Sequence, residues 1–231
     1  MGREERAVSL RERLVEAGVQ LVMTEGTASL GLREIARRAG VSHGAPRRYF
    51  PTHQALLSAI ARRGFADLAS RLAPALSAPA SARARLRALA RVYVGYALTH
   101  RRMFELMFRH DLLNSERAPE APEAPQSPAA PQLREVTLPL FAQLVDLVDK
   151  DHAERPASGA EQLPDAAATA AALWANLHGI AQLWTWGSLQ LALGEEQLDQ
   201  PAADASAPDL PAALDRMITA ALDAHLGRVA P

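Results

Sequence analysis

The 231-residue sequence contains no cysteine. That excludes a disulfide framework, a thiolate metal site and a cysteine nucleophile. Lysine is nearly absent, since of 25 basic residues only Lys150 is not arginine. No run of alternating apolar residues reads as a strand, which leaves an all-α chain. There is no Gly-rich phosphate loop, no G-x-S-x-G and no H-E-x-x-H, so neither an enzyme nor a bound cofactor is expected. The histidines are scattered. His110-Asp111 and Asp151-His152 would ligate a metal only if folding brought them together, and no metal site is expected. The first twenty residues include Arg3, Glu4, Glu5, Arg6, Arg11, Glu12, Arg13 and Glu16. They leave no apolar core for a cleavable signal, so a cytoplasmic location is expected. The longest charge-free stretch, Ala166 to Gly194, is long enough to span a bilayer. It also holds Asn176, His178, Gln182 and Gln190, and reads as a buried helix with no membrane partner.

What is present is unevenly spread. Residues 1–71 hold 12 arginines and 7 acidic residues, a balance of +5; the remainder balances at −6, consistent with the net −1 of the chain. A basic front and an acidic rear imply that only the front meets a polyanion. Apolar periodicity predicts about nine helices. The first covers Leu10 to Met23, with Leu10, Leu14, Ala17 and Leu21 beside Val15, Gly18 and Val22, and Gly26 ends it. Leu32 to Ala39 follows, stopped by Gly40. Ser42 can cap a short helix to Phe50, stopped by Pro51, and Thr52 a longer one that fades at Pro74. Further helices are expected over 80–99, 102–113, 132–150, 165–193 and 209–227. Residues 115–131 carry Pro119, Pro122, Pro125, Pro128 and Pro131, three apart. That period matches polyproline II, and a solvated loop is the expected state. Residues 194–211 read as a second, weaker linker.

The segment LREIARRAGVSHGAPRRYF, residues 32–50, makes two short helices joined by Gly40-Val41-Ser42, a helix-turn-helix. Such a pair presents its second helix to the DNA major groove. Residues 31–63 carry Arg33, Arg37, Arg38, Arg47, Arg48, Arg62 and Arg63 against the single acid Glu34, the excess that phosphate neutralisation needs. The alternative is a pair of amphipathic helices with merely solvated arginines.

Residues 10–65 resemble the N-terminal domain of TetR/AcrR-type bacterial transcriptional regulators. The features that carry the resemblance are the helix ending in Glu25-Gly26, the block LREIARRAGVS, the following HGAPRRYF and then PTHQALL. Trp174, His178 and Gly179 in WANLHG resemble the Trp-His-Gly feature of one branch of TetR C-terminal domains. The resemblance implies a three-helix DNA-binding domain over 1–51, its motif at about 32–51 and its fourth helix reaching about 76. It implies an effector-binding and dimerisation domain over 77–231, interrupted by the Pro-rich loop. The expected DNA contacts are Arg33, Ser42, His43, Gly44, Ala45, Arg47, Arg48 and Tyr49, with Thr52 and His53 at a phosphate. Glycine and alanine permit close approach, and arginine can bridge guanine O6 and N7. Where the family commonly has Tyr-Arg-His-Phe, this chain has Arg47-Arg48-Tyr49-Phe50, and a common lysine is His53. Pro46 falls in the first helical turn, where its missing N–H costs little, and Phe50 is expected in the core.

The expected partners are double-stranded DNA with a palindromic operator, a second copy of the chain, and a small apolar or amphipathic effector. The dimer would use the helices over 165–193 and 209–227. Effector-pocket candidates are Met103, Phe104, Met107, Phe108, Phe141, Trp174, His178 and Trp184, since apolar walls with a few polar groups suit a small molecule. A methionine-rich core would show the same pattern. The expected function is a repressor released from its operator by the effector. Alternatives are an activator or effector-blind DNA-binding protein and, more distantly, a small α-helical enzyme or adaptor, against which the charge asymmetry argues.

Overall fold

In the computed structural model, residues 9–109, 113, 133–155, 164–194 and 210–228 are described. Among them there is no strand. The helices are α1 (Leu10–Glu25), α2 (Leu32–Arg38), α3 (Ala45–Tyr49), α4 (His53–Ser77), α5 (Ala82–Thr99), α6 (Arg101–Met107), α7 (Leu133–Ala153), α8 (Ala166–Thr185), α9 (Ser188–Leu193) and α10 (Ala212–Leu226), with a 3-10 turn at Thr27–Ser29. The Pro-rich stretch 115–131 and most of the 194–211 linker lie outside the described residues.

Two units divide the chain, Met1–Ala66 with Arg102–Leu133 and Asp67–Arg101 with Arg134–Pro231. In the first, α1 begins at a reciprocal cap. Ser9 Oγ accepts from the Glu12 amide at 3.2 Å and Glu12 accepts from the Ser9 amide at 2.9 Å, satisfying two donors that a helix start would otherwise leave to water. Gly26 ends α1 with φ of 85°, and the Arg102 guanidinium donates to the carbonyls of Met23 and Thr24. The buried face of α1 is Leu14, Val15, Gly18, Leu21 and Val22. A Cβ on Gly18 would stand 2.3 Å from Ile60 Cδ1, so α1 and α4 approach as closely as they do only because residue 18 has no side chain. Ile35, Phe50, Leu56 and Ile60 complete this core.

Helix α6 packs on α4 by the same device. A Cβ on Gly64 would meet Met107 Sδ at 2.7 Å and Met103 Cγ at 2.8 Å. Phe108 stands edge-on to Phe65 at 5.5 Å and 4.8 Å from Phe104. The expected helix over 102–113 closes at Met107; the Arg109 amide turns back to the Leu106 carbonyl, an i→i−3 bond that tightens a last turn.

In the second unit α5 packs against α8 and α10, burying Leu86, Ala90, Val94, Leu173, Leu177, Leu214, Ile218 and Leu222. Arg83 ties three elements together. It forks onto Asp151 at 2.8 and 2.9 Å and donates to the Leu226 and Gly227 carbonyls, each at 2.8 Å. Asp151, named above as a metal-ligand candidate, is thus a buried partner of Arg83. Asp215 on α10 pairs with Arg87 and Arg91 of α5.

Three further boundaries differ from expectation. Helix α4 passes Pro74 and ends at Ser77, because Pro74 faces solvent and water can satisfy the carbonyl one turn earlier. The helix expected over 165–193 divides at Gly187, whose φ of 82° leaves the right-handed region; this accounts for a tenth helix. Ser42 does not cap α3. The N-cap is Gly44, without a side-chain bond, and the Ser42 carbonyl accepts from Ala45 instead.

Candidate nucleic-acid interface

The helix-turn-helix is closed by hydrogen bonding at the end of α2. Gly40 has φ of 66°, its amide donates to the Arg37 carbonyl at 3.1 Å, and the Val41 amide donates to the Ala36 carbonyl at 3.0 Å. These are the two bonds of a Schellman ending, which needs a left-handed residue at the position of Gly40. Arg13 on α1 adds a donor to the Ala39 carbonyl at 2.6 Å. Helix α3 then begins with Pro46 in its first turn, where no helical partner is lost. Pro46 and Phe50, four apart, face the core, and Arg11 lies over the Phe50 ring at 5.2 Å. With that face inward, Arg47, Arg48 and Tyr49 are exposed.

The start of α4 is capped as expected, Thr52 Oγ accepting from the Ala55 amide at 3.0 Å. His53 Nε2 bonds to the Leu30 carbonyl, which turns the ring toward the loop before α2. The result is an open concavity of about 660 Å³ lined by Gly31, Leu32, Arg33, His43, Gly44, Arg47 and His53. Among the candidate DNA contacts, Arg33, His43, Gly44, Arg47 and His53 line it. Ser42, Arg48, Tyr49 and Thr52 are exposed outside its lining, and Ala45 is half-buried. Gly31 and Leu32 were not singled out from the sequence; the signal was available in Gly31, the residue before the helical pattern.

Some arginines of this unit pair with carboxylates, and three beside the concavity do not. Glu34 accepts from Arg37 at 2.6 and 2.8 Å and from Arg38 at 3.0 Å, and Arg38 also reaches Glu25. The Arg37 and Arg38 bonds hold the Glu34 carboxyl down to about 2, so it remains ionised. Arg63 lies 3.9 Å from Glu16. Arg33, Arg47 and Arg48 pair with no carboxylate among the described residues. Their charge is available to an external anion.

The effector candidates fall in both units. Met103, Phe104, Met107 and Phe108 belong to the α6–α4 packing of the first. In the second, Trp174 Nε1 donates to Tyr93 Oη at 3.2 Å, and Tyr93 Oη lies 2.8 Å from His178 Nδ1. The Phe141 ring meets that of Trp174 edge-on at 6.4 Å. Trp174 is 38% exposed and Trp184 only 6%. Burial lowers the His178 pKa and raises that of Tyr93, so the imidazole is neutral at neutral pH and the phenol keeps its proton. Tyr93 was missed from sequence because nothing local to it marks a partner more than eighty residues away.

Among the described residues no helix is long and apolar enough to cross a membrane, and no group of three or more metal-ligating side chains occurs. Residues 14–60 match the family model described as bacterial regulatory proteins, tetR family, and residues 86–206 match that of the tetracyclin repressor-like C-terminal domain. The chain is 36% identical over 89 residues to an uncharacterised HTH-type transcriptional regulator of Xanthobacter autotrophicus, an alignment spanning 38% of this chain and 44% of that protein. A solved structure of a protein of unknown function from Rhodococcus sp. RHA1 is 32% identical, with TM-score 0.67 and coverage of 97% of both chains. The Bacillus subtilis regulator FadR, solved in complex with stearoyl-CoA, shares the fold at TM-score 0.59 and 12% identity, over 94% of this chain and 98% of that one. With the helix-turn-helix geometry, these matches place the chain in the TetR family of DNA-binding transcriptional regulators.

Proposed function

We propose that the chain is a dimeric repressor, released from a palindromic operator when a small apolar or amphipathic molecule binds its C-terminal domain. The observation that carries the DNA contact is the set of carboxylate-free arginines, Arg33, Arg47 and Arg48, on and beside the concavity of the helix-turn-helix. In this reading Arg33, His43, Arg47 and Arg48 meet the duplex, and Gly44 and Ala45 allow the backbone of α3 to come close. Residues 1–51 form the DNA-binding domain and 77–231 the effector and dimer domain. On α8, Ala171, Ala172, Ala175 and Leu183 are exposed, as is Trp186 just after its end. This apolar face suits a second copy, and a two-fold axis through it makes the operator palindromic.

For the effector we favour Phe141, Trp174 and His178. Met103, Phe104, Met107 and Phe108 are occupied in packing on Gly64 and Phe65, and Trp184 is buried. That a protein of the same fold is in complex with stearoyl-CoA supports an amphipathic ligand class. The test is fluorescence anisotropy of the purified chain on duplex DNA from its own upstream region. The expected result is salt-dependent binding of two copies to an inverted repeat. Binding no tighter than to scrambled duplex would refute sequence-specific recognition.

A further inference from the structure

Two histidines line the concavity beside α3, and their hydrogen bonds set them apart. His53 Nε2 is bonded to the Leu30 carbonyl. A carbonyl oxygen carries no proton, so Nε2 is the donor, and the proton of the neutral ring sits there. The nitrogen left to the ring is Nδ1, which in that tautomer is a lone pair without a hydrogen. It has no hydrogen-bond partner among the described residues. For His43, neither ring nitrogen is bonded among the described residues. His43 can therefore offer an N–H to an anion while neutral, by choice of tautomer. His53 can do so only by taking up a proton on Nδ1, because its one N–H is committed to Leu30.

The charged and titratable groups that share the lining with His53 are Arg33 from α2, Arg47 from α3 and His43 from the turn before α3. Among the described residues no carboxylate lines it. The chain therefore supplies no anion for a charged ring there, and a duplex phosphate does. Charged, the ring donates from both nitrogens, Nε2 to Leu30 and Nδ1 to the phosphate, the second a charge-assisted bond. Neutral, it meets an anion with a lone pair, which repels. We propose that operator binding takes up a proton at His53, which makes this residue a pH-dependent phosphate contact. The inference rests on the assignment of the concavity to DNA. The sign follows by linkage. A group that holds its proton more tightly in the complex than in the free chain strengthens the complex as pH falls. Operator affinity therefore rises from about pH 8 to about pH 6, the range in which imidazoles titrate. A phosphate beside the ring strengthens proton binding about tenfold or more, and affinity per bound copy gains the same factor.

The test titrates the full chain by anisotropy onto duplex from its own upstream region, between about pH 6 and about pH 8 at constant ionic strength. The variants are His53→Gln, neutral throughout, His53→Lys, charged throughout, and His43→Gln. His53 is exposed, so each should fold, which melting curves check. The parent is expected to gain about tenfold per bound copy as pH falls. His53→Gln should be nearly flat, at the affinity the parent shows at the upper pH. His53→Lys should also be flat, but at the affinity the parent shows at the lower pH. His43→Gln should keep the gain. Calorimetry near neutral pH, in two buffers of different ionisation enthalpy, counts the protons directly. It should find uptake on binding in the parent and none in either His53 variant.

A parent that binds the duplex with the same affinity across this range would overturn the proposal and leave the DNA surface standing. So would a gain that persists in His53→Gln, a gain that vanishes in His43→Gln instead, or a His53→Lys variant that binds no more tightly than His53→Gln. A parent that binds no duplex at any pH would refute the assignment of the concavity to DNA, and this inference with it.

Discussion

Replacing Arg47 and Arg48 together by alanine tests the DNA surface most directly. Neither guanidinium is paired with a carboxylate among the described residues, so each is available to a phosphate or a base. Removing one arginine–phosphate pairing should reduce the slope of log affinity against log salt by about 0.9, and removing two should reduce it by about 1.8. Between 50 and 200 mM salt, as order-of-magnitude conditions, the parent should then lose about tenfold more affinity than the variant. An arginine that reads a base should cost about 1–3 kcal/mol on the operator and little on scrambled duplex. The control is Arg37→Ala. Arg37 is bound to Glu34 at 2.6 and 2.8 Å, and that carboxylate stays charged with its pKa near 2, so no phosphate is needed to balance it. Arg37→Ala should leave the slope nearly unchanged although the net charge falls by the same unit. The assay is anisotropy on operator and scrambled duplex over a salt series, with melting curves for folding. Equal slopes for Arg37→Ala and Arg47→Ala, or an unaltered slope in the folded double variant, would refute the division of the arginines.

Gly18→Ala should destabilise by about 1–3 kcal/mol through its clash with Ile60, and Ile60→Val, which removes the Cδ1 atom standing 2.3 Å from the new Cβ, should recover part of the loss in denaturant melts. Arg83→Ala leaves Asp151 buried with Arg155 at 3.6 Å as its remaining ion pair, a loss of about 3–5 kcal/mol; if the double change Arg83→Met with Asp151→Leu is no better than the single one, the network is not what holds these helices. Trp174→Ala, at a 38% exposed site, should cost clearly less stability than Trp184→Ala, expected at about 3–5 kcal/mol; equal losses would return Trp174 to the core. Burial lowers the His178 pKa below 6.5, so its contribution to stability is complete above the unfolded value and is lost as pH falls through the folded one. The melting temperature of the parent should therefore drop from pH 7 toward pH 5 more than that of His178→Gln, with His100, also lowered by burial, giving both proteins the same background; parallel curves would contradict a buried neutral imidazole.

The sequence by itself determined the helices and the recognition motif, because those rest on local rules. Periodicity marked the face of Leu14, Leu21 and Val22, Thr52 capped α4, and Gly40 permitted the left-handed residue that the turn requires. Each of these acts within about one turn of helix. The Ser9–Glu12 cap was equally local and could have been read. Gly187 marked a break inside an apolar run too uniform for its pattern to show one.

The net excess of arginine was also legible, but not which arginines remain available to a partner. Arg38 meets Glu25, thirteen residues away, and only packing brings α1 beside α2. The methionines and phenylalanines of α6 looked like a pocket until Gly64 showed where they pack, since composition is the same for a core and a cavity lining. Tyr93 reaches His178 across 85 residues and Trp174 across 81. Tertiary structure alone decided that meeting, because three helical residues distant in sequence share one site only once α5 packs on α8.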